Sequence, residues 1–183
     1  MQSQLPNILT WIRILLIPLL VFVFLTFEYS RPLCGIIFAV AAFTDLLDGY
    51  LARKWNVTSK FGAFLDPVAD KLLVAVALVL LVKFDPSLWM VLCAIIIIGR
   101  EITVSALREW LAGEGKRDAV KVQMIGKLKT IFQMGAIFAL LYQKPFLGLP
   151  TYEIGRYSLI LAALLTIISM SIYLKSAWDV MKD

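Results

Sequence analysis

The chain has 183 residues, 61% of them hydrophobic and 17% charged, with no histidine and a net charge of +5 from 18 basic and 13 acidic side chains. Soluble domains carry roughly 25% charged residues, so this composition excludes an ordinary water-soluble domain and favours one domain, residues 1–183, inside a bilayer. The basic residues flank apolar runs, which points to membrane orientation and not to nucleic-acid binding.

Six membrane helices are expected, each near the roughly 20 residues that a hydrocarbon core requires. The first covers about Ile8 to Phe27, with Asn7 placed to cap it and Pro18 to bend it. Arg13 interrupts this run and no small-residue cleavage site follows, so it is read as a retained span and not a cleaved signal. The second follows Arg31 and Pro32 and runs to about Arg53, and the third runs from about Lys60 to Val82. Asp85, Pro86 and Ser87 open the fourth, with proline in its first turn, and it ends near Trp110. A charged loop over Gly113 to Gln123 leads to a fifth helix from about Met124 to Gln143. After a turn over Lys144 to Pro150, a sixth runs from Thr151 to about Ser176 and reads as scaffold or subunit contact. Cys34 and Cys93 lie within apolar runs and read as packing residues, with neither disulfide nor zinc spacing.

Six spans place both termini on one side. The loops around residues 53–60 and 108–129 hold Arg53, Lys54, Lys60, Arg108, Lys116, Arg117, Lys121, Lys127 and Lys129, against Arg31, Lys83, Lys144 and Arg156 opposite. By the positive-inside rule the first set, and with it both termini, is cytoplasmic.

The chemistry concentrates between Asp45 and Asp70. Each buried aspartate costs roughly 2.5–3.5 kcal/mol at the bilayer centre, so four of them demand a reason. Asp45, Asp48, Gly49 and Ala52 share one helix face, and Gly62, Asp66 and Asp70 share another. Measured by helical rise from Arg53 and Gly62, Asp48 and Asp66 lie roughly 6–8 Å deep, and Asp45 and Asp70 roughly 12 Å. The four acids then form two level rungs of an antiparallel hairpin. Arg100 lies at a similar depth, Lys127 and Thr130 share a stripe of the fifth helix, and Asn7, Thr10 and Arg13 occupy the inner end of the first.

Carboxylates alone, without histidine or paired thiolates, suit a hard cation such as Mg²⁺ or Mn²⁺. Four acids exceed what one octahedral ion commonly uses, so two ions are expected, the usual device for in-line displacement at phosphorus. Structural ion pairing with Arg53, Arg100, Lys71 and Lys127 is the competing explanation, weakened because carboxylates this dense still repel one another. Arg100, Arg108, Lys127 and Lys129 suit phosphate oxygens. Snorkelling to the interface explains Arg108 and the lysines equally well. Glu101 has the reach to orient Arg100 or to help coordinate a cation. Gly49, Gly62 and Pro67 allow plain packing and kink readings.

The pattern D-x-x-D-G-x-x-A-R-x8-G-x-x-x-D-x-x-x-D runs through Asp45, Asp48, Gly49, Ala52, Arg53, Gly62, Asp66 and Asp70 without a departure. It resembles the signature of the CDP-alcohol phosphatidyltransferases, integral membrane enzymes with six helices. The resemblance extends along nearly the whole chain. NILTWIR, GAFLDPVADKLLVAVALV, GREITVSALREW and GKLKT are similar to the bacterial members whose acceptor is glycerol 3-phosphate.

That resemblance implies transfer of a phosphatidyl group from CDP-diacylglycerol to glycerol 3-phosphate with release of CMP, at the cytosolic face of a bacterial inner membrane. It implies that Asp45, Asp48, Asp66 and Asp70 hold two ions, Mg²⁺ or Mn²⁺, with Asp70 as general base. Gly49, Ala52, Arg53 and Gly62, with Asn7, Thr10 and Arg13, would receive CDP-diacylglycerol. Arg100, Arg108 and Lys127 would hold the acceptor's phosphate. Membrane lipid and a second copy of the chain, as a homodimer, are the further partners implied. Other acceptors (inositol phosphate, serine, phosphatidylglycerol) share the chemistry. An ion-coupled transporter is the rival of another class, but it calls for midplane polar groups and internal repeats that this sequence lacks.

Overall fold

The computed structural model describes residues 5–27, 31–55, 60–115, 124–145 and 148–181, with backbone alone for 5–8, 48–55, 60–64, 124–127, 176 and 179–181. Every regular element in them is a helix: α1 (Leu5–Thr26), α2 (Arg31–Trp55), α3 (Lys60–Phe84), α4 (Leu88–Gly113), α5 (Met124–Tyr142) and α6 (Thr151–Met181). The protein is therefore all-α, with helices where the apolar runs predict them.

Three stretches are long and apolar enough to cross a membrane: Leu9–Thr26, Leu88–Gly113 and Thr151–Lys175. The apolar part of α5 is shorter, Leu128–Tyr142. Both α2 and α3 have 25 residues, long enough to span, but aspartates and basic residues interrupt their apolar windows. The outside of the molecule is apolar too. Leu15, Phe22, Leu46, Val79, Leu88, Ile95 and Ile131 are all more than half exposed. Water does not tolerate so much exposed hydrocarbon, whereas lipid does, so this is a multi-pass membrane protein.

Packing is strongest between α5 and α6 and between α1 and α2; α2 also leans on α5, α4 on α6, and α1 and α4 on α3. Leu20, Phe38, Leu73, Leu78, Met90, Ile97, Ile137 and Leu140 fill the centre. Cys34 and Cys93 are buried in it as free thiols, as their apolar surroundings predict. Two glycines set how closely the helices approach. A Cβ on Gly35 would lie 2.9 Å from the Tyr142 Cβ and 3.0 Å from its Cα, and one on Gly155 would lie 2.9 Å from the Leu140 Cγ. Any side chain at Gly35 would thus push α2 away from α5.

Two helix starts differ from the sequence expectation. Asn7 does not cap α1: the helix already begins at Leu5, because Pro6 presets the backbone angle of a first turn. Pro86 lies outside α4, and Ser87 is its N-cap with an extended backbone and no capping bond from its side chain. Asp85 does the anchoring there. Its Oδ1 accepts from the Ser87 N–H at 3.1 Å and its Oδ2 from the Tyr152 hydroxyl, tying the α3–α4 turn to the first turn of α6. Burial alone would raise the Asp85 carboxyl, but these hydrogen bonds and the Arg156 guanidinium hold it below its usual range, so it is ionised at neutral pH.

The packing predicts opposite outcomes for two similar substitutions. Gly35→Ala should cost about 1–3 kcal/mol through overpacking and lower the melting temperature of the detergent-solubilised protein. Gly135→Ala, whose added methyl meets nothing within 4 Å, should leave that temperature unchanged or raise it. Equal melting curves for the two variants would contradict the packing described.

Candidate active site

Helical spacing puts Asp45 of α2 and Asp66 and Asp70 of α3 on faces that the first helix can reach. Thr10 and Arg13 lie one turn apart on α1, so their side chains share a face. Arg13 is fully buried, and its guanidinium lies 2.7 Å from the Asp45 Oδ1. The Thr10 hydroxyl donates to the Asp66 Oδ1 at 2.6 Å. One helix thus bridges both acid-bearing helices, by an ion pair on one side and a hydrogen bond on the other.

The charges in this region act on one another. Asp66 repels Asp45 while Arg13 attracts it. Asp70 is repelled by Asp45 and Glu101 and attracted by Arg13 and Lys71. Asp70 thus feels the charge of Asp45 on α2 as well as that of Glu101 on α4. It also lines the wall of two cavities.

The first cavity, about 450 Å³, runs from Asp70 past Arg100, Arg108 and Gln133 to Tyr173, so it draws on α3, α4, α5 and α6. The second, about 740 Å³, shares Asp70, Lys71, Arg100, Glu101 and Arg108 and continues along α4 to Leu111 and Ala112. Arg100 and Arg108 are two turns apart on α4, which brings both guanidinium groups to one side. Tyr173 sets them in place: its hydroxyl accepts from the Arg108 Nη2 at 2.8 Å, and its ring lies 5.6 Å from the Arg100 guanidinium and 5.4 Å from that of Arg108. Glu101 is ion-paired with the buried Lys129 and lies 3.2 Å from Arg100. One carboxylate thus serves both Lys129 and Arg100, so a net positive charge remains there beside Arg108 and Lys71.

The structure thus brings Thr10 to Asp66, Arg13 to Asp45, and Asp70, Arg100 and Arg108 to one cavity. Asp45 and Asp66 do not line it. The side chains of Asn7, Asp48, Gly49, Ala52, Arg53, Gly62 and Lys127 lie outside the described residues. Their backbones belong to α1, α2, α3 and α5.

Two cavity residues are additions to the sequence reading. Gln133 lies one turn beyond Lys129, and following the polar stripe through Lys127 and Thr130 one turn further would have found it. Tyr173 corrects the view of the sixth helix as scaffold alone; a single tyrosine in an apolar span gives no sequence signal of its own.

The donor set suits a hard divalent ion, since the acids offer only carboxylate oxygens and their mutual repulsion is relieved by bound positive charge. Among the described residues no three acids converge as a ready-made metal site, and the Asp48 side chain, the fourth member of the expected set, is not one of them.

The chain resembles proteins of known activity over almost its full length. A family model for CDP-alcohol phosphatidyltransferases, enzymes that generally use divalent metals, matches residues 3–170. A Pectobacterium atrosepticum protein named CDP-diacylglycerol–glycerol-3-phosphate 3-phosphatidyltransferase is 51% identical over 178 residues, 97% of this chain and 96% of the relative. Proteins of the same name from Yersinia pestis (strain Pestoides F) and Salmonella choleraesuis are each 48% identical, over 98% and 97% of this chain and 97% and 96% of their own. With a family match over most of its length and near-full-length relatives about half identical, the chain belongs to the CDP-alcohol phosphatidyltransferases.

Proposed function

We propose that this protein transfers the phosphatidyl group of CDP-diacylglycerol to glycerol 3-phosphate, giving phosphatidylglycerophosphate and CMP, the reaction of a bacterial phosphatidylglycerophosphate synthase. The observation that supports the reading is the cavity lined by Asp70, Arg100 and Arg108, a carboxylate and two guanidinium groups around one space, which suits a proton acceptor beside phosphate-binding groups. The names of the near-full-length relatives support the choice of both substrates. All six helices are read as spans of the bacterial inner membrane, with both termini and the cavity on the cytosolic side. The lipid-borne donor then enters sideways and the soluble acceptor from water.

In this reading Gly49, Ala52, Arg53 and Gly62, with Asn7, Thr10 and Arg13, receive the CDP-diacylglycerol headgroup. Asp45, Asp48, Asp66 and Asp70 are the residues to hold two ions, Mg²⁺ or Mn²⁺, which supply charge neutralisation at the diphosphate when bound. Arg100 and Arg108, with Lys127, bind the phosphate of glycerol 3-phosphate as charge-assisted hydrogen-bond donors. Asp70 takes the proton of the acceptor's primary hydroxyl as its oxygen attacks the lipid-side phosphorus in line. The bond from that phosphorus to the bridging oxygen breaks, and its electron pair leaves with CMP. Atoms and charge balance without any further reactant.

The direct test is CMP release by the purified protein from CDP-diacylglycerol with Mg²⁺ or Mn²⁺ and a panel of acceptors. Glycerol 3-phosphate should support turnover. Turnover with inositol phosphate or serine and none with glycerol 3-phosphate would reject the acceptor assignment. Asp70→Asn should fold normally and lose about 10²–10⁴-fold in kcat, the usual contribution of a positioned base. Near-normal turnover by that variant would remove Asp70 from the role. Arg108→Gln should raise KM for glycerol 3-phosphate about 10-fold or more, the scale of a lost charge-assisted bond. Tyr173→Phe should produce a smaller rise in the same constant. Neither should alter KM for CDP-diacylglycerol, and a shift there would place both residues at the wrong substrate.

A further inference from the structure

Gln133 is 3% exposed, lies in the wall of the smaller cavity, and its Oε1 is buried with no hydrogen-bond partner among the described residues. An orphaned acceptor is unusual in a folded protein, and one in a cavity wall is open to pairing with whatever enters the cavity. Its neighbours in the wall are otherwise engaged. Lys129, one turn before it on α5, is paired with Glu101, and Arg108 is bonded to Tyr173. Gln133 is also the one amide among the residues that line the cavity, and its unpaired atom is an acceptor, which suits a hydroxyl donor and not a phosphate oxygen. The terminal torsion of glutamine is soft, which lets the amide turn towards an entering group.

Resting on the acceptor reading above, glycerol 3-phosphate has three polar positions. Its phosphate goes to Arg100 and Arg108, and its primary hydroxyl goes to Asp70. The secondary hydroxyl on C2 remains. We infer that Gln133 is a specificity-determining residue whose side-chain amide binds the non-reacting C2 hydroxyl of the acceptor. Its Oε1 accepts a hydrogen bond from that hydroxyl and so selects a phosphorylated diol over a phosphorylated simple alcohol. An acceptor without this hydroxyl leaves the amide oxygen buried and unpaired, and such a mismatch is the strongest form of discrimination a small polar site has.

The test compares glycerol 3-phosphate with 3-hydroxypropyl phosphate, which keeps the phosphate and the primary hydroxyl and lacks only the C2 hydroxyl. CMP release from CDP-diacylglycerol is measured for the full-length wild-type protein and for Gln133→Leu and Gln133→Met. The wild type should prefer glycerol 3-phosphate by roughly 10–100-fold in kcat/KM, the factor expected for stranding a buried polar group. In both variants that ratio should collapse towards one, with turnover of 3-hydroxypropyl phosphate nearly preserved. The intrinsic reactivities of the two alcohols cancel when the ratios are compared. A wild type that uses both acceptors equally well overturns the inference without reference to any variant. Variants that lose activity on both acceptors alike, keeping the wild-type ratio, make Gln133 a packing residue and overturn it as well. Wild-type turnover with some other acceptor, and none with glycerol 3-phosphate, overturns the acceptor reading itself and this inference with it.

Discussion

An ionised carboxylate in apolar surroundings must have a compensating charge or donor beside it, and the arrangement around Asp45 and Asp66 follows from that requirement. The contact between Arg13 and Asp45 is the clearest case, with a fully buried guanidinium against a carboxylate on a neighbouring helix. Thr10 gives Asp66 a hydrogen bond from the same face of α1. The first helix is therefore more than an anchor. It holds α2 and α3 together at the level where their acids would otherwise drive them apart, and it leaves Asp70 to the cavity.

Beyond Asp70 the sign of the charge changes. Arg100 and Arg108 lie along one side of α4, and two guanidinium groups on one wall repel each other as the aspartates do. Tyr173 lies against both, as a hydrogen-bond acceptor for one and an aromatic face near each. Glu101 takes up the charge of Lys129. An acid cluster and a cationic cavity thus meet at Asp70, the juxtaposition that transfer between a diphosphate and a phosphorylated alcohol calls for. Such a reaction needs positioning and charge stabilisation more than covalent help from the protein.

Much of this was legible in the sequence because lipid simplifies the code. Apolar runs located all six helices, three of them with stretches of spanning length, and deviations at their ends have local causes, such as Pro6 starting α1 ahead of Asn7. The acids were legible for the opposite reason: Asp45, Asp66 and Asp70 are costly where they stand, so their helical spacing carries information. Arg100 stood out by depth in the same way. Tyr173 and Gln133 did not stand out. A tyrosine or a glutamine in a membrane helix costs far less than an aspartate, and its meaning depends on which neighbour it touches across the bundle. The pairing of Lys129 with Glu101 was hidden for a related reason, since 28 residues of chain separate the partners and sequence does not reveal how α4 and α5 face each other.

In the proposed reaction, donor and acceptor meet where Asp45, Asp66 and Asp70 border the cationic cavity. The most direct test is an experimental structure of the protein with CDP-diacylglycerol and Mn²⁺ bound. Metal density should appear among Asp45, Asp48, Asp66 and Asp70, with the diphosphate against it and the space bounded by Asp70, Arg100 and Arg108 open beside the lipid-side phosphorus. A diphosphate bound elsewhere on the molecule, with no metal among those aspartates, would contradict this arrangement.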